Sequence, residues 1–278
     1  MLEVELKFQI PEARRVALMK ALEGKKSEQI QLKAKYYDTP DKKLATAHAA
    51  IRQRLEGNTW VQTFKASRSH VARFEHNHNL GELSHELQLD LNIYNEVPEA
   101  KTLLRAALGD DLDQLMLIFE TDIARTLQVM TYGNSEIEVS LDQGEIRAQG
   151  RTYPIYEIEF ELKTGGIADL FAFSFEWVKK YQLWLDVRSK AEFGNLLADG
   201  LAVRPVKPSK PLVLLKKDNS DANLRSLIAQ HLHALLPNVA AMSAGVATQA
   251  HIQQAHQSLD QLHLSLLLFK NWSTDLQD

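Results

Sequence analysis

Hydrophobic and polar residues alternate one for one at the start of the chain. In "MLEVELKFQI", Leu2, Val4, Leu6 and Phe8 fall on one side and Glu3, Glu5 and Lys7 on the other. A period of two predicts a β-strand with one apolar face. "PEARRVALMKALEGK" switches to helical spacing, with Pro11 suited to a first turn and Val16, Leu18, Met19 and Leu22 near one face. Asp38-Thr39-Pro40-Asp41 is turn chemistry, and Glu56-Gly57-Asn58 predicts a hairpin between "AIRQRLE" and "TWVQTFKA". "VARFEHN" and "HELQLDLNIY" alternate like strands, whereas "EVPEAKTLLRAALGDDLDQLMLIF" reads as an interrupted helix. "ARTLQVMTY", "SEIEVSLDQGEI" and "YEIEFELKTGG" are further strands, followed by helices over "DLFAFSFEWVKKYQLW" and "KAEFGNLLADG". The proline-rich "RPVKPSKP" predicts a linker. Strands first and helices alone afterwards indicate an α+β chain. An antiparallel sheet domain over 1–203, a linker over 204–216 and a helical appendage over 217–278 are expected.

Composition narrows the field. The 278 residues are 45% hydrophobic and 24% charged, with net charge −4, enough apolar material for a core and no global case for nucleic-acid binding. There is no cysteine, so a disulfide framework and a thiolate metal site are excluded. No apolar run is long enough to span a bilayer, and the charged start does not fit a secretory signal peptide, so a cytoplasmic setting without a membrane partner is expected.

Charge along the strands carries the chemistry. A single strand with one apolar and one charged face is ordinary in an antiparallel sheet. Here the signs are sorted by strand. Glu3/Glu5, Glu136/Glu138/Asp142 and Glu157/Glu159/Glu161 are acidic rows; Arg52/Arg54, Lys65 and Arg73 are basic. Like charges side by side repel, so each row calls for a partner of opposite sign. A hard divalent cation, Mg²⁺ or Mn²⁺, suits carboxylates at i, i+2. A polyphosphate suits the guanidinium forks. If the sheet closes, both rows face one wet lumen, and the apolar faces turn outward beneath helices. Glu3 and Glu5 then read as metal ligands and Lys7 as a phosphate contact. The histidines His70, His76 and His78 fall in an expected loop and read as solvated polar residues. His251, His256 and His263 lack the i, i+4 spacing of a helical zinc site. Leu259, Leu262, Leu266 and Phe269 form an apolar helical stripe suited to a core or a dimer contact.

These residues resemble a known family. Glu3-x-Glu5-x-Lys7 resembles the ExExK signature of the CYTH superfamily, the triphosphate tunnel metalloenzymes, and Arg52-x-Arg54 resembles its RxR strand. Lys65 resembles its following lysine, and Arg73-x-Glu75 a later pair. Arg125 resembles a further basic tunnel position, although Leu127 and Val129 on its face are apolar. Glu138, Asp142 and Glu157-x-Glu159-x-Glu161 resemble the late acidic strands, and Ser189-Lys190-Ala191 the closing lysine motif.

The resemblance covers about residues 1–200. It implies an eight-stranded antiparallel tunnel ringed by helices, and "SLDQGE" with the helical tail is most similar to the bacterial inorganic triphosphatase branch. The implied reaction is metal-dependent hydrolysis of triphosphate, or another short polyphosphate, to pyrophosphate and phosphate. The implied metal ligands are Glu3, Glu5, Glu138, Asp142, Glu159 and Glu161. The implied phosphate contacts are Lys7, Arg52, Arg54, Lys65, Arg73, Arg125 and Lys190. Glu157 reads alternatively as a residue that orients a basic neighbour. Thiamine triphosphatase, nucleoside triphosphatase or adenylate cyclase activity, and non-catalytic polyphosphate binding, stand as alternatives. Two departures are visible. The family's usual arginine three residues after the closing lysine is Phe193 here, with Arg188 a candidate substitute. The tail resembles a truncated remnant of a CHAD domain, with a homodimer as one role for its leucines.

Overall fold

The computed structural model describes residues 4–24, 26–67, 73–82, 88–206 and 219–270; the side chains of Ser67 and Arg73 lie outside that description, as does Glu3. The chain divides into two compact units, Met1–Leu185 with Ser189–Leu201, and Asp186–Arg188 with Ala202–Asp278.

The larger unit is built on one antiparallel sheet. Its strands are β1 (Glu5–Gln9), β2 (Glu28–Asp38), β3 (Ala49–Glu56), β4 (Thr59–Ser67), β5 (Arg73–Gly81), β6 (Met116–Tyr132), β7 (Ser135–Ala148), β8 (Arg151–Thr164) and the two-residue β9 (Trp184–Leu185). They pair in the order β5-β4-β3-β2-β6-β7-β8-β1-β9. The predicted hairpin joins β3 to β4, with Gly57 at φ +61, a left-handed value that glycine adopts without a Cβ penalty.

One side of this sheet is apolar and helix-covered. Phe8, Ile137, Val139, Leu141, Ile158 and Phe160 pack with Leu18 and Leu22 of α1 (Glu12–Leu22) and Leu170 and Phe173 of α4 (Ile167–Tyr181). Ile51, Phe64 and Phe74 pack with Leu44 of α2 (Lys43–Thr46) and Ala100, Leu104 and Leu108 of α3 (Pro98–Leu108). The apolar strand faces thus turn outward beneath helices. The opposite side carries the charged rows and receives α5 (Lys190–Asp199), whose Phe193 packs among Ile123, Ile146 and Ile155. Gly194 permits that approach: a Cβ there would stand 2.2 Å from a ring carbon of Phe119.

Three expectations are corrected. The hydrogen-bonded sheet does not close into a barrel: β5 and β9 are its edges among the described residues. The physical reason lies in β9, which meets β1 through only Phe8↔Leu185 and Gln9↔Trp184 and presents almost no edge for another strand. The part of "HELQLDLNIY" within the described residues is not a strand but a loop leading into a 3₁₀ turn at Asn92–Tyr94. Side chains from the sheet hold that loop: Gln53 Nε2 donates to Gln88 O (3.1 Å) and Gln62 Nε2 to Asp90 O (2.6 Å). The helical reading of "DLDQLMLIF" also fails beyond Gln114, because its apolar residues are the start of the 17-residue β6, paired to β2 from Met116 onward.

The smaller unit contains α6 (Ser220–Ser243) and α7 (Gln249–Phe269), both capped at their N-termini, by Asn219 and by a capping box at Thr248 and His251. The buried positions of α7 are small or polar: His251, Gln254, Ala255, Ser258 and Ser265. Leu259, in the stripe suited to a core or a dimer contact, is exposed.

Gly194→Ala is expected to lower stability by about 1–3 kcal/mol through overpacking against Phe119, read as a lower urea midpoint; an unchanged midpoint contradicts the close packing of α5.

Candidate active site

Strand register gathers the charged residues onto one face. Residues directly opposite in an antiparallel pair project to the same side. Glu5, Lys7 and Gln9 stand opposite Glu161, Glu159 and Glu157; these in turn stand opposite Glu138, Ser140 and Asp142. Asp142 is opposite Arg125, and the face continues across Ile30, Ala34 and Tyr36 of β2 to Arg54 and Arg52 of β3, then Thr63 and Lys65 of β4 and Glu75 of β5. Among the predicted site residues, Glu5, Lys7, Arg52, Arg54, Lys65, Arg125, Glu138, Asp142, Glu159 and Glu161 therefore share a side. Glu3 lies outside the described residues, and of Arg73 only the backbone is described.

The acidic half is graded from dry to wet. Side-chain exposure along β8 is 0% at Glu157, 17% at Glu159 and 24% at Glu161. The dry end is a dense ion network. Ser189 caps α5 by accepting from the Glu192 N–H at 3.2 Å, which sets Lys190 on the first turn. Lys190 Nζ reaches Asp142 Oδ2 (2.7 Å), Glu159 Oε1 (3.1 Å) and Glu157 Oε1. Arg125 closes a fork on Asp142, Nε to Oδ1 at 2.6 Å and Nη2 to Oδ2 at 2.7 Å, and also donates to Glu159 at 2.7 Å. Lys7 (3.3 Å) and Gln9 (3.2 Å) both donate to Glu157 Oε2. Glu157 is thus a hub that orients basic neighbours.

Burial favours neutral forms here, but the opposing charges prevail. Burial pushes Asp142 and Glu159 up, and Lys190 with Arg125 outweighs it, leaving both below the ordinary carboxylate range. Burial alone would lower Lys190, yet Glu157, Glu159 and Asp142 hold it well above its ordinary value.

The basic half is less neutralised. Burial, then repulsion from Arg52, lowers Arg54 despite Glu56, which accepts from Arg54 Nε at 2.6 Å. Arg52 Nη2 reaches Thr63 Oγ1 at 3.5 Å, and its Nε is buried with no hydrogen-bond partner among the described residues. Thr63 donates to Asn77 Oδ1 (2.7 Å), Asn77 donates to Glu75 (3.1 Å), and Glu75 pairs with Lys65 (2.7 Å). Asn77 and Gln9 escaped the sequence reading. Each lies two residues from a noted charge, Glu75 and Lys7, on the same strand face, and that spacing was the available signal.

The donor set suits a hard divalent cation at the wet end. Glu5, Glu161 and Glu138 come side by side on three adjacent strands and offer oxygen, with Lys163 Nζ 2.9 Å from Glu161 and 3.9 Å from Glu138. Oxygens of Asp142, Glu157 and Glu159 lie within 4.8 Å of one another and could also hold an ion. Those three charges are met by Lys190, Arg125 and Lys7, as Glu161 is met by Lys163. The guanidinium of Arg188 is buried and forks onto Asp186, with both contacts at 2.9 Å.

An antiparallel sheet with helices over its apolar side and opposed charges gathered on the other defines an α+β class. Within that class the chain belongs to the CYTH domain family, which matches residues 1–192. It is similar to an inorganic triphosphatase of Haemophilus influenzae, 35% identical over 164 residues that make up 58% of this chain and 44% of that protein. The chain therefore spans less than half the length of that curated relative. Among solved structures, a Hippeastrum protein named as an adenylyl cyclase with a dominant triphosphatase activity aligns at TM-score 0.50 and 18% identity, over 72% of this chain and 97% of its own. A Bacillus halodurans protein named as an adenylate cyclase aligns at TM-score 0.49 and 18% identity, over 69% and 96%. At such identity the structural likeness concerns the fold.

The network makes a pH prediction. Carboxylates held low in the folded state contribute stability that is present above their unfolded values, about 4, and is lost as pH falls through the folded ones. Lys190→Met removes the cation that depresses Asp142 and Glu159, so acid unfolding should move to higher pH. At pH 7 the cost should be about 3–5 kcal/mol for an orphaned buried charge, measured by urea unfolding across pH 2–7. An unshifted acid limb contradicts the network.

Proposed function

We propose that the chain is a metal-dependent inorganic triphosphatase that hydrolyses triphosphate to pyrophosphate and phosphate. The observation that carries this reading is the shared face: incompletely neutralised guanidinium groups on β3 and oxygen-only carboxylates on β7, β8 and β1. The family membership and the similarity to the Haemophilus influenzae enzyme support it.

Glu5, Glu138 and Glu161, with Glu3, are the residues that would hold Mg²⁺ or Mn²⁺. When bound, such a cation supplies charge neutralisation for the phosphoryl oxygens and activation of water. Arg52, Arg54, Lys65 and Lys7 bind and orient the anion, with Arg73 as a further contact. Arg125, Lys190 and Asp142 act at one remove, fixing Glu159 and Glu157, and Glu157 in turn aims Lys7. Most of the rate enhancement then comes from positioning and from preorganised charge. The chemistry requires no serine or histidine nucleophile.

Three subsidiary parts belong to this reading. The absence of cysteine supports a cytoplasmic setting. The α6–α7 pair is read as CHAD-like on its helical sequence pattern. The exposed Leu259, Leu264, Leu267 and Leu268 support a homodimer, which sedimentation velocity tests; a monomer at all concentrations removes that part.

The decisive assay offers purified protein and Mg²⁺ or Mn²⁺ four substrates: triphosphate, thiamine triphosphate, ATP and long-chain polyphosphate. Phosphate and cyclic AMP are measured. Release from triphosphate alone supports the proposal. Comparable turnover of ATP or thiamine triphosphate favours a broader triphosphatase, and binding without turnover favours a polyphosphate binder. Arg52→Ala is expected to raise KM for triphosphate by about tenfold or more, the loss of a charge-assisted hydrogen bond of roughly 1.5–3 kcal/mol. An unchanged KM contradicts its role.

A further inference from the structure

The inward face changes character within one residue step. Beyond Gln9, Glu157 and Asp142, at the dry end of the ion network, lies the apolar cluster of Ile123, Ile146, Ile155 and Phe193. Phe193 is 4% exposed, its ring stacks on Tyr153 with centroids 5.0 Å apart, and Lys7 Nζ lies over that ring at 5.6 Å from the centroid. Lys7 thus sits at a boundary, with Glu157 Oε2 at 3.3 Å and an aromatic face at cation–π range.

We propose that Phe193 is a positioning residue for Lys7. The aromatic face draws the ammonium without neutralising it, because a quadrupole attracts a cation but carries no charge of its own. An aliphatic side chain of like bulk would offer the ammonium no such attraction. With Glu157 Oε2 at 3.3 Å as a further contact, the ring holds Lys7 in place on the row toward Glu5. Burial of the ring strengthens the attraction, since water does not compete on a covered face. Gly194 serves the same end by letting α5 bring the ring close to the sheet.

This inference rests on the reading of the face as an oligophosphate site only for its kinetic arm. The direct test is NMR of the uncomplexed protein, with the Lys7 side-chain signals assigned by their loss in Lys7→Met. In the wild-type protein the Lys7 Hε protons should be shifted upfield by the ring current, and the shift should vanish in Phe193→Leu. Signals at the random-coil position in the wild type overturn the proposal whether or not the protein turns over triphosphate.

The kinetic test is a double-mutant cycle. Phe193→Leu, with Tm within a few degrees of wild type, should raise KM for triphosphate about threefold to tenfold and should have no further effect in the Lys7→Met background. Equal effects in both backgrounds overturn the proposal and make Phe193 a packing residue alone. Failure of the wild type to hydrolyse triphosphate bears on the proposed function and leaves the NMR test standing.

Discussion

Carboxylates on adjacent strands of one face are the constraint on which the rest depends. Glu157, Glu159 and Asp142 stand on neighbouring strands with their oxygens within 4.8 Å, largely out of water. Uncompensated, that arrangement would not survive folding, because buried like charges shift their pKa values or force the strands apart. Lys190 and Arg125 bind it together. They arrive from different elements, a helix N-terminus and a strand separated from β8 by β7, so the ion network also fixes where α5 lies. Breaking it on one side leaves several charges orphaned, which makes it a strong device for specifying this geometry even though the net gain over an apolar core is small.

From that anchor the face divides into three zones. A dry apolar wall is formed by Phe193 and its isoleucines. A neutral ion network follows at Glu157, Asp142 and Glu159. A wet acidic row lies beyond, at Glu5, Glu138 and Glu161. The basic half stands apart: β3 is four strands from β8, about 19 Å in a flat sheet at the usual strand spacing. One short oligophosphate can touch both halves only where the sheet curls, and strand twist supplies the tendency to do so. The outward helices suit such a sheet, since they cover its apolar strand faces.

Much of this was legible from alternation. Period two placed β1, β3, β4, β7 and β8, and the sorting of signs predicted that the charged residues would share a side, because strand pairing preserves the parity of faces. Arg125 was uncertain for a physical reason: Leu127 and Val129 beside it hide the polar character of its position. Sequence spacing could not reveal the fork from Arg125 to Asp142, a contact between strands. The start of β6 misled because "LMLIF" is a continuous apolar run, which periodicity cannot assign to strand or helix. "HELQLDLNIY" misled in the opposite sense, its alternation overridden where glutamine side chains claim the backbone carbonyls that a ladder would use. Closure of the sheet is set by its edges, and a two-residue β9 leaves no signature in the pattern.

The most direct measurement is a crystal structure of the protein soaked with Mn²⁺ and a non-hydrolysable triphosphate analogue, with the metal located by anomalous scattering. The charge arrangement predicts manganese against the Glu5, Glu138 and Glu161 carboxylates, with phosphate oxygens on Arg52 and Arg54 and the Lys190–Asp142–Glu157 network intact. Manganese on the outer surface, or an analogue bound away from β3, would contradict it.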